Sequence, residues 1–304
     1  MKALLPFFLL LGACSSLPRT EAPANQSSAS DVPAVTECTY CAEWNEPRDP
    51  VRVYGNTYYV GTNGLGAVLV TSPEGHILID GALNESAALI EANIEALGFR
   101  MEDVKLILNS HAHFDHSGGL AALQEATGAT VAASAPSAAV LEAGVPGPDD
   151  PQHAELLPFP MRPVNAVRVI ADGETVRVGP LALTAHFTPG HTAGGTTWTW
   201  TSCEGDTCLN VVYADSLTPI SDEGYQFSRS ERYPSILSDF EHSYEVVEGL
   251  SCDVLITPHP GASGFFERLE SRQNSGAMPV DTMACSRYAA AARDRLAQRL
   301  ESER

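Results

Sequence analysis

Short apolar runs separated by turn residues fill the first third of the chain after its N-terminal stretch. Val51–Tyr54, Thr57–Val60, Ala67–Val70 and His76–Ile79 are divided by Gly55-Asn56, by Gly61 to Gly66 and by Pro73-Glu74-Gly75, so they read as strands joined by tight connections. The pattern then changes period. Ala88, Leu89, Ala92, Ile94 and Ala96 recur at near-helical spacing and stop at Gly98, which predicts a helix over Ser86–Leu97. Leu106–Leu108 reads as a buried strand ending at Asn109-Ser110. Ser117–Thr127 reads as a helix, Ala129–Ala133 as a strand, and Ser137–Glu142 as a short helical turn. Gly144 to Pro163, rich in proline and aspartate, reads as a long loop.

The second half repeats this logic. Val167–Ile170, Thr175–Val178, Leu181–Phe187, Thr196–Thr201, Leu209–Tyr213 and Val254–Ile256 are predicted strands, with helices over Ile236–Leu250 and Tyr288–Leu300. Strands come in runs with helices at the ends of the runs, so the fold class expected is α+β, layered around two sheets. No fixed-period repeat is visible.

Composition narrows the function. Of 304 residues 44% are hydrophobic and 18% charged, the balance of a folded globular chain. Lys plus Arg number 18 against 38 Asp plus Glu, a net charge of -20 that repels phosphate backbones and excludes a general nucleic-acid binder. Lys2 and Lys105 are the only lysines, and no basic run offers a lipid-headgroup patch.

The N-terminus carries targeting information. Met1-Lys2-Ala3 precedes an apolar run from Leu4 to Leu11 that is too short to span a bilayer. Leu11-Gly12-Ala13-Cys14 follows, and it resembles the lipobox of bacterial lipoproteins, with cleavage before Cys14 and acylation of that residue. The other reading is an ordinary signal peptide with a chance cysteine. Residues 1–13 are expected as the signal peptide, 14–36 as the acylated cysteine and a flexible Ser/Ala/Pro/Asn tether, and 37–304 as one folded domain. By the same resemblance, Ser15 after the cysteine favours a periplasmic protein anchored to the outer membrane.

Export implies an oxidising compartment, so the remaining cysteines read first as disulfides. Cys203 and Cys208 flank Glu204 to Thr207 between two β-rich runs, where a hairpin can hold them face to face. Cys252 precedes a buried strand and Cys285 opens the last helix, so a bridge there pins that helix to the body. Cys38 and Cys41 form a C-x-x-C that suits a loop disulfide, a redox pair or half a zinc site. The disulfide is favoured, because there is no second C-x-x-C and no helix-forming sequence follows.

The most informative segment is His111-Ala112-His113-Phe114-Asp115-His116, directly after the apolar strand. In an extended chain residues two apart point the same way, so His111 and His113 can meet one metal while Asp115 and His116 face a second position. Gly118-Gly119 lets the chain turn tightly into the helix. His191 in Thr188-Pro189-Gly190-His191-Thr192 and His259 in Thr257-Pro258-His259-Pro260-Gly261 each follow a strand and a proline, where a rigid loop can present a ligand. His76, His153, His186 and His242 lack such a setting and read as surface or core residues.

H-x-H-x-D-H, then P-G-H-T, then a late histidine after a strand resembles the metallo-β-lactamase superfamily. Ala214-Asp215-Ser216-Leu217-Thr218, the lead from Thr188 to Trp198, and the pair Cys252 and Cys285 are similar to its third subclass of β-lactamases. The resemblance implies a four-layer αββα sandwich with two Zn2+ at the edge between the sheets. It implies that His111, His113 and His191 hold the first zinc, and Asp115, His116 and His259 the second. Asp80 would support the metal loop, Ser216 and Thr218 would meet the substrate, and Tyr225 would donate to the developing oxyanion. Asp115 would orient the attacking hydroxide. Asp115 is the one carboxylate the metal requires, so the others are expected mostly on solvated surface.

The implied activity is zinc-dependent hydrolysis of the β-lactam amide of penicillins, cephalosporins and carbapenems. The alternatives are a lactonase or thioesterase of the same fold, whose bridging aspartate falls near Asp215, and a non-catalytic periplasmic zinc-binding lipoprotein. The expected partner is a small-molecule β-lactam bound by a monomer, with membrane contact only through the lipid anchor and none with nucleic acid.

Overall fold

A computed structural model of the chain describes Met1, residues 38–275 and residues 280–304. The signal peptide, the tether and the lipidation of Cys14 rest on residues outside the described ones.

The first sheet runs in sequence order through β1 (Val51–Tyr54), β2 (Thr57–Tyr59), β3 (Val68–Val70), β4 (His76–Ile79), β5 (Val104–Leu108), β6 (Thr130–Ala133) and β7 (Arg168–Val169). Strands β1 to β4 form an antiparallel meander, and β4 to β7 are parallel, as their helical crossovers require. The second sheet contains β8 (Thr175–Val178), β9 (Leu181–Phe187), β10 (Thr196–Glu204), β11 (Thr207–Tyr213) and β12 (Val254–Ile256), in the order β12-β11-β10-β9-β8. The helices are α1 (Cys41–Trp44), α2 (Ala87–Ala96), α3 (Phe114–Ser117), α4 (Leu120–Thr127), α5 (Ala135–Ala143), α6 (His153–Leu156), α7 (Ile236–Gly249), α8 (Phe265–Ser275) and α9 (Ala284–Ser302).

The central strands are apolar at consecutive positions because both of their faces are buried. Val68, Val70, Ile77, Ile79, Leu106 and Leu108 point at the second sheet, where they meet Leu183, Trp198, Val211, Tyr213 and Ile256. The alternate residues Leu69, Leu78 and Ile107 turn outward onto Ile90 and Ile94 of α2 and Leu120 and Leu123 of α4. On the far side, Val212 and Leu255 carry Phe240 and Tyr244 of α7 and Tyr288 and Leu296 of α9. Three apolar layers therefore separate four structural ones, and this is the αββα sandwich.

Several elements differ from the sequence-based expectation. A one-turn helix, α1, does follow Cys38, and the Cys38–Cys41 disulfide sits at its start. Another single turn, α6, interrupts the long loop. It forms because Asp222 accepts the amides of Ala154 and Glu155, an acceptor supplied from far along the chain. Helix α8 lacks a legible period because, among its described side chains, Phe265 and Leu269, one turn apart, are the buried apolar anchors. Strands β10 and β11 extend to the hairpin tip, where Cys203 pairs with Cys208 in register and bonds to it. Cys252 and Cys285 are also joined, tying α9 to the start of β12.

Candidate metal centre

Every candidate ligand follows the C-terminal end of a strand, so the rigidity of the sheets is passed directly to the site. Asp80 follows β4, the segment from His111 to His116 follows β5, His191 follows β9, Asp215 and Ser216 follow β11, and His259 follows β12. Cross-sheet bonds lock these ends together. Trp198 Nε1 donates to the carbonyl of Asn109 at 3.0 Å, and the Thr196 amide donates to that of Ser110 at 2.8 Å.

The turn from β5 into α4 is fixed by lack of space. Gly118 and Gly119 have right-handed backbone angles, φ −55 and −79, so left-handed freedom is not what they supply. A Cβ would lie 2.5 Å from the Phe114 carbonyl oxygen at Gly118 and 2.3 Å from that of Gly81 at Gly119. Asp80 shows the opposite, a non-glycine residue at φ 59. Its carboxylate accepts the Ser110 amide at 2.7 Å, the Ser110 hydroxyl at 2.6 Å and the Tyr213 hydroxyl at 2.9 Å, and these bonds hold the unusual backbone. Burial raises the Asp80 pKa to about 7, against the pull of those donors.

Two groups of side chains converge, each with its potential ligand atoms within 4.8 Å of one another: His111, His113 and His191, and Asp115, His116 and His259. They adjoin, with the rings of His111 and His116 4.5 Å apart. In the first group each imidazole is held by the nitrogen that does not serve the cluster. His111 Nδ1 faces Asp215 Oδ1 at 2.7 Å, His113 Nε2 faces Asp150 Oδ2 at 2.9 Å, and His191 Nδ1 donates to the Thr218 carbonyl at 2.8 Å. In the second group Asp115 Oδ2 lies 3.2 Å from Nε2 of both His116 and His259.

The electrostatics suit a cation. Burial drives the His111 pKa well below its ordinary value and that of His191 to about 3, which favours the neutral imidazole that metal binding needs. Burial also pushes the Asp215 pKa well up. Burial opposes charge on His113 too, but Asp150 outweighs it and raises that pKa. Burial likewise disfavours ionised Asp115, yet His116 and His259 hold its pKa well below the usual range. Nε2 of His111 and Nδ1 of His116 are buried with no hydrogen-bond partner. The orphaned Nε2 of His111, opposite the nitrogen bound to Asp215, is what a divalent metal held with His113 and His191 would satisfy, and the donor set of imidazoles and one carboxylate fits zinc.

The comparisons with known proteins agree with this geometry. A family described as the metallo-beta-lactamase superfamily matches residues 66–202. The Rm3 metallo-beta-lactamase is 55% identical, with a TM-score of 0.86 over 88% of this chain and 99% of that one. The chain belongs to the metallo-beta-lactamase superfamily. MEM-A1, described as a subclass B3 metallo-beta-lactamase isolated from a soil metagenome library, is 49% identical with a TM-score of 0.84, covering 86% of this chain and 98% of that one. The metallo-beta-lactamase SMB-1, bound to 2-mercaptoethanesulfonate, is 47% identical with a TM-score of 0.82, covering 86% and 99%.

Within this metallo-beta-lactamase site the residues singled out from sequence fall in different places. The six proposed ligands form the two groups. Asp80 lies beneath them on Ser110. Ser216 is buried next to Asp215, and Thr218 contributes its carbonyl to His191. The Tyr225 hydroxyl meets Ser230 Oγ at 2.6 Å, and its ring packs on Phe227. The expectation of solvated carboxylates fails for Asp150, Asp215 and Asp222, all buried and all hydrogen-bonded. Asp150 and Asp215 lie 37 and 104 residues from the histidines they meet, so only the fold reveals them. Trp44 was missed too; its ring packs 5.1 Å from that of His259.

Proposed function

We propose that the protein hydrolyses the amide bond of β-lactams, using two zinc ions held by His111, His113 and His191 and by Asp115, His116 and His259. The observation that carries this reading is the pair of adjoining ligand groups in a chain 45–55% identical to several proteins named metallo-beta-lactamases. Zinc held by these groups would supply Lewis acidity that lowers the pKa of a water and makes hydroxide available near neutral pH. Asp115, kept ionised by its two histidines, is the acceptor placed to orient that water. Hydroxide adds to the lactam carbonyl, the C–N bond breaks, and the ring nitrogen takes up a proton. No serine ester forms along this route.

Ser216 and Thr218, in the segment after β11, are assigned to the substrate. Tyr225 is assigned as donor to the oxyanion; its hydroxyl shares a hydrogen bond with Ser230 Oγ, and Tyr225→Phe measures its contribution. Export and anchoring to the outer membrane through Cys14 belong to the same proposal and rest on the sequence Leu11-Gly12-Ala13-Cys14. The proposal also takes the protein as a monomer.

The test is turnover of a penicillin, a cephalosporin and a carbapenem beside a lactone and a thioester, with zinc measured on the same sample. β-Lactam hydrolysis abolished by EDTA and restored by zinc is expected. Turnover of only the lactone or thioester, or full activity in metal-free protein, overturns the proposal.

A further inference from the structure

We infer that Asp150 is a positioning residue with two attachments: it orients His113 for metal, and it fastens the loop after α5 to that same histidine. The inference rests on the reading that His111, His113 and His191 bind a metal ion.

Both oxygens of this carboxylate are engaged. Oδ2 faces His113 Nε2 at 2.9 Å, and Oδ1 accepts the Gln152 amide at 2.8 Å. The residue itself is 8% exposed, so water does not substitute easily for either partner. An imidazole has two nitrogens. With Nε2 committed to Asp150, Nδ1 is the one left for the cluster, whereas His111 and His191 are held by Nδ1 and leave Nε2. His113 is thus turned over relative to its two neighbours, and Asp150 is the contact that keeps it so.

The loop around this carboxylate is a turn closed by bonds of its own, to which the carboxylate adds the Gln152 amide. The Asp150 amide donates to the Gly147 carbonyl at 3.1 Å and its own carbonyl accepts the His153 amide at 3.1 Å, while His153 Nδ1 faces the Gly147 carbonyl at 2.9 Å. Asp222 then holds the next turn by the amides of Ala154 and Glu155. This loop forms one wall of an open cleft of about 380 Å³ whose floor includes Ala112, between two of the candidate ligands. Filling the first metal group therefore fixes His113, and through Asp150 the wall of the cleft beside it. A partner that supports a ligand in this way raises its basicity and limits its rotation.

Asp150→Ala and Asp150→Asn, prepared in the zinc-loaded protein, test this. Zinc affinities by chelator competition should show one of the two ions weakened by about 10–100-fold in Asp150→Ala and by less in Asp150→Asn, with the other ion unchanged. In the ¹⁵N-histidine spectrum the wild-type protein should show His113 protonated on Nε2, and that resonance should be lost or exchange-broadened in Asp150→Ala. Hydrogen exchange at the Gln152 amide should slow on zinc binding in the wild type but not in Asp150→Ala. Two ions bound with wild-type affinity and an unchanged His113 resonance in a folded variant overturn the inference. If Asp150→Ala fails to fold, Asp150→Asn carries the same readouts. A wild-type protein that binds no zinc overturns instead the underlying metal assignment, so the two failures are distinguishable.

Discussion

The two ligand groups are adjacent and chemically alike, yet the fold supports them unequally. His111, His113 and His191 are all buried, and each has a dedicated acceptor behind it: the Asp215 carboxylate, the Asp150 carboxylate and the Thr218 carbonyl. Asp115, His116 and His259 rely on each other. Asp115 Oδ2 serves both histidines at 3.2 Å, and the His259 side chain is 33% exposed. Beyond the cluster, the Trp44 ring packs against that of His259 at a tilt of 55°. One group is held by hydrogen bonds to the segment after β11 and to the loop after α5, and the other by its own members and by packing of Trp44 on His259, so the first should retain its metal and the second exchange it.

The largest effect follows from emptying the first group. His111→Ala removes a ligand and leaves Asp215 buried without its partner, so both the metal and local order suffer. Loss of a metal worth several kcal/mol of transition-state stabilisation corresponds to at least ~10³ in kcat/KM. His259→Ala should cost less. Stepwise chelation of the wild-type protein gives the complementary measurement, with zinc content followed beside hydrolysis. Two phases are expected, the first assigned to the exposed group. Simultaneous release of both ions, or retention of activity in His111→Ala, would contradict the asymmetry.

A smaller effect comes from the acceptors alone. Asp215→Asn keeps the shape of the residue but removes the charge that favours a proton on His111 Nδ1, and a 10–100-fold loss of first-site zinc affinity is expected. The second ion should be held as before. Gly195 matters here, since a Cβ at that position would lie 2.5 Å from Asp215 Oδ2. The helix α9 takes part as well, because the Tyr288 hydroxyl donates to the Asp215 carbonyl at 3.0 Å and the Cys252–Cys285 disulfide anchors that helix. Competition titrations on Asp215→Asn that weaken both ions equally would show that the two groups are not independently supported.

What the sequence made legible follows from how far apart the cooperating residues lie. His111, His113, Asp115 and His116 fall within six positions after an apolar strand, so extended-chain spacing paired the first two and the turn that follows placed the others beside them. His191 and His259 were recognisable because each follows a strand and a proline. The layering was readable for the same reason, since the runs Val68 to Val70, Ile77 to Ile79 and Leu106 to Leu108 are apolar at successive positions. The residues behind the ligands carried no such signal. Asp150 lies in a proline-flanked loop and resembles a solvated turn former, and it becomes a histidine partner only when that loop folds back over 37 residues. Asp215 was visible as a residue near the bridging aspartate of related hydrolases, but not as the partner of His111. Trp44 belongs to a one-turn helix whose existence depends on backbone contacts with Thr62 and Gly64.

Trp44 supplies the smallest expected effect and the most selective one. Its carbonyl accepts the Thr62 hydroxyl at 2.6 Å and the Gly64 amide at 3.0 Å, so its backbone is fixed before its ring meets His259. Trp44→Ala preserves those bonds and deletes only the ring. An aromatic pair of this kind contributes about 0.5–1.5 kcal/mol, which corresponds to roughly a 2–10-fold faster release of the second ion. Release of the first should not change, because no hydrogen bond behind His111, His113 or His191 involves this segment. Stopped-flow chelation of the variant reads both phases in one trace. Acceleration of the fast phase alone is the expected result, and an equal acceleration of the slow phase would mean that the rim and the buried group are one cooperative unit.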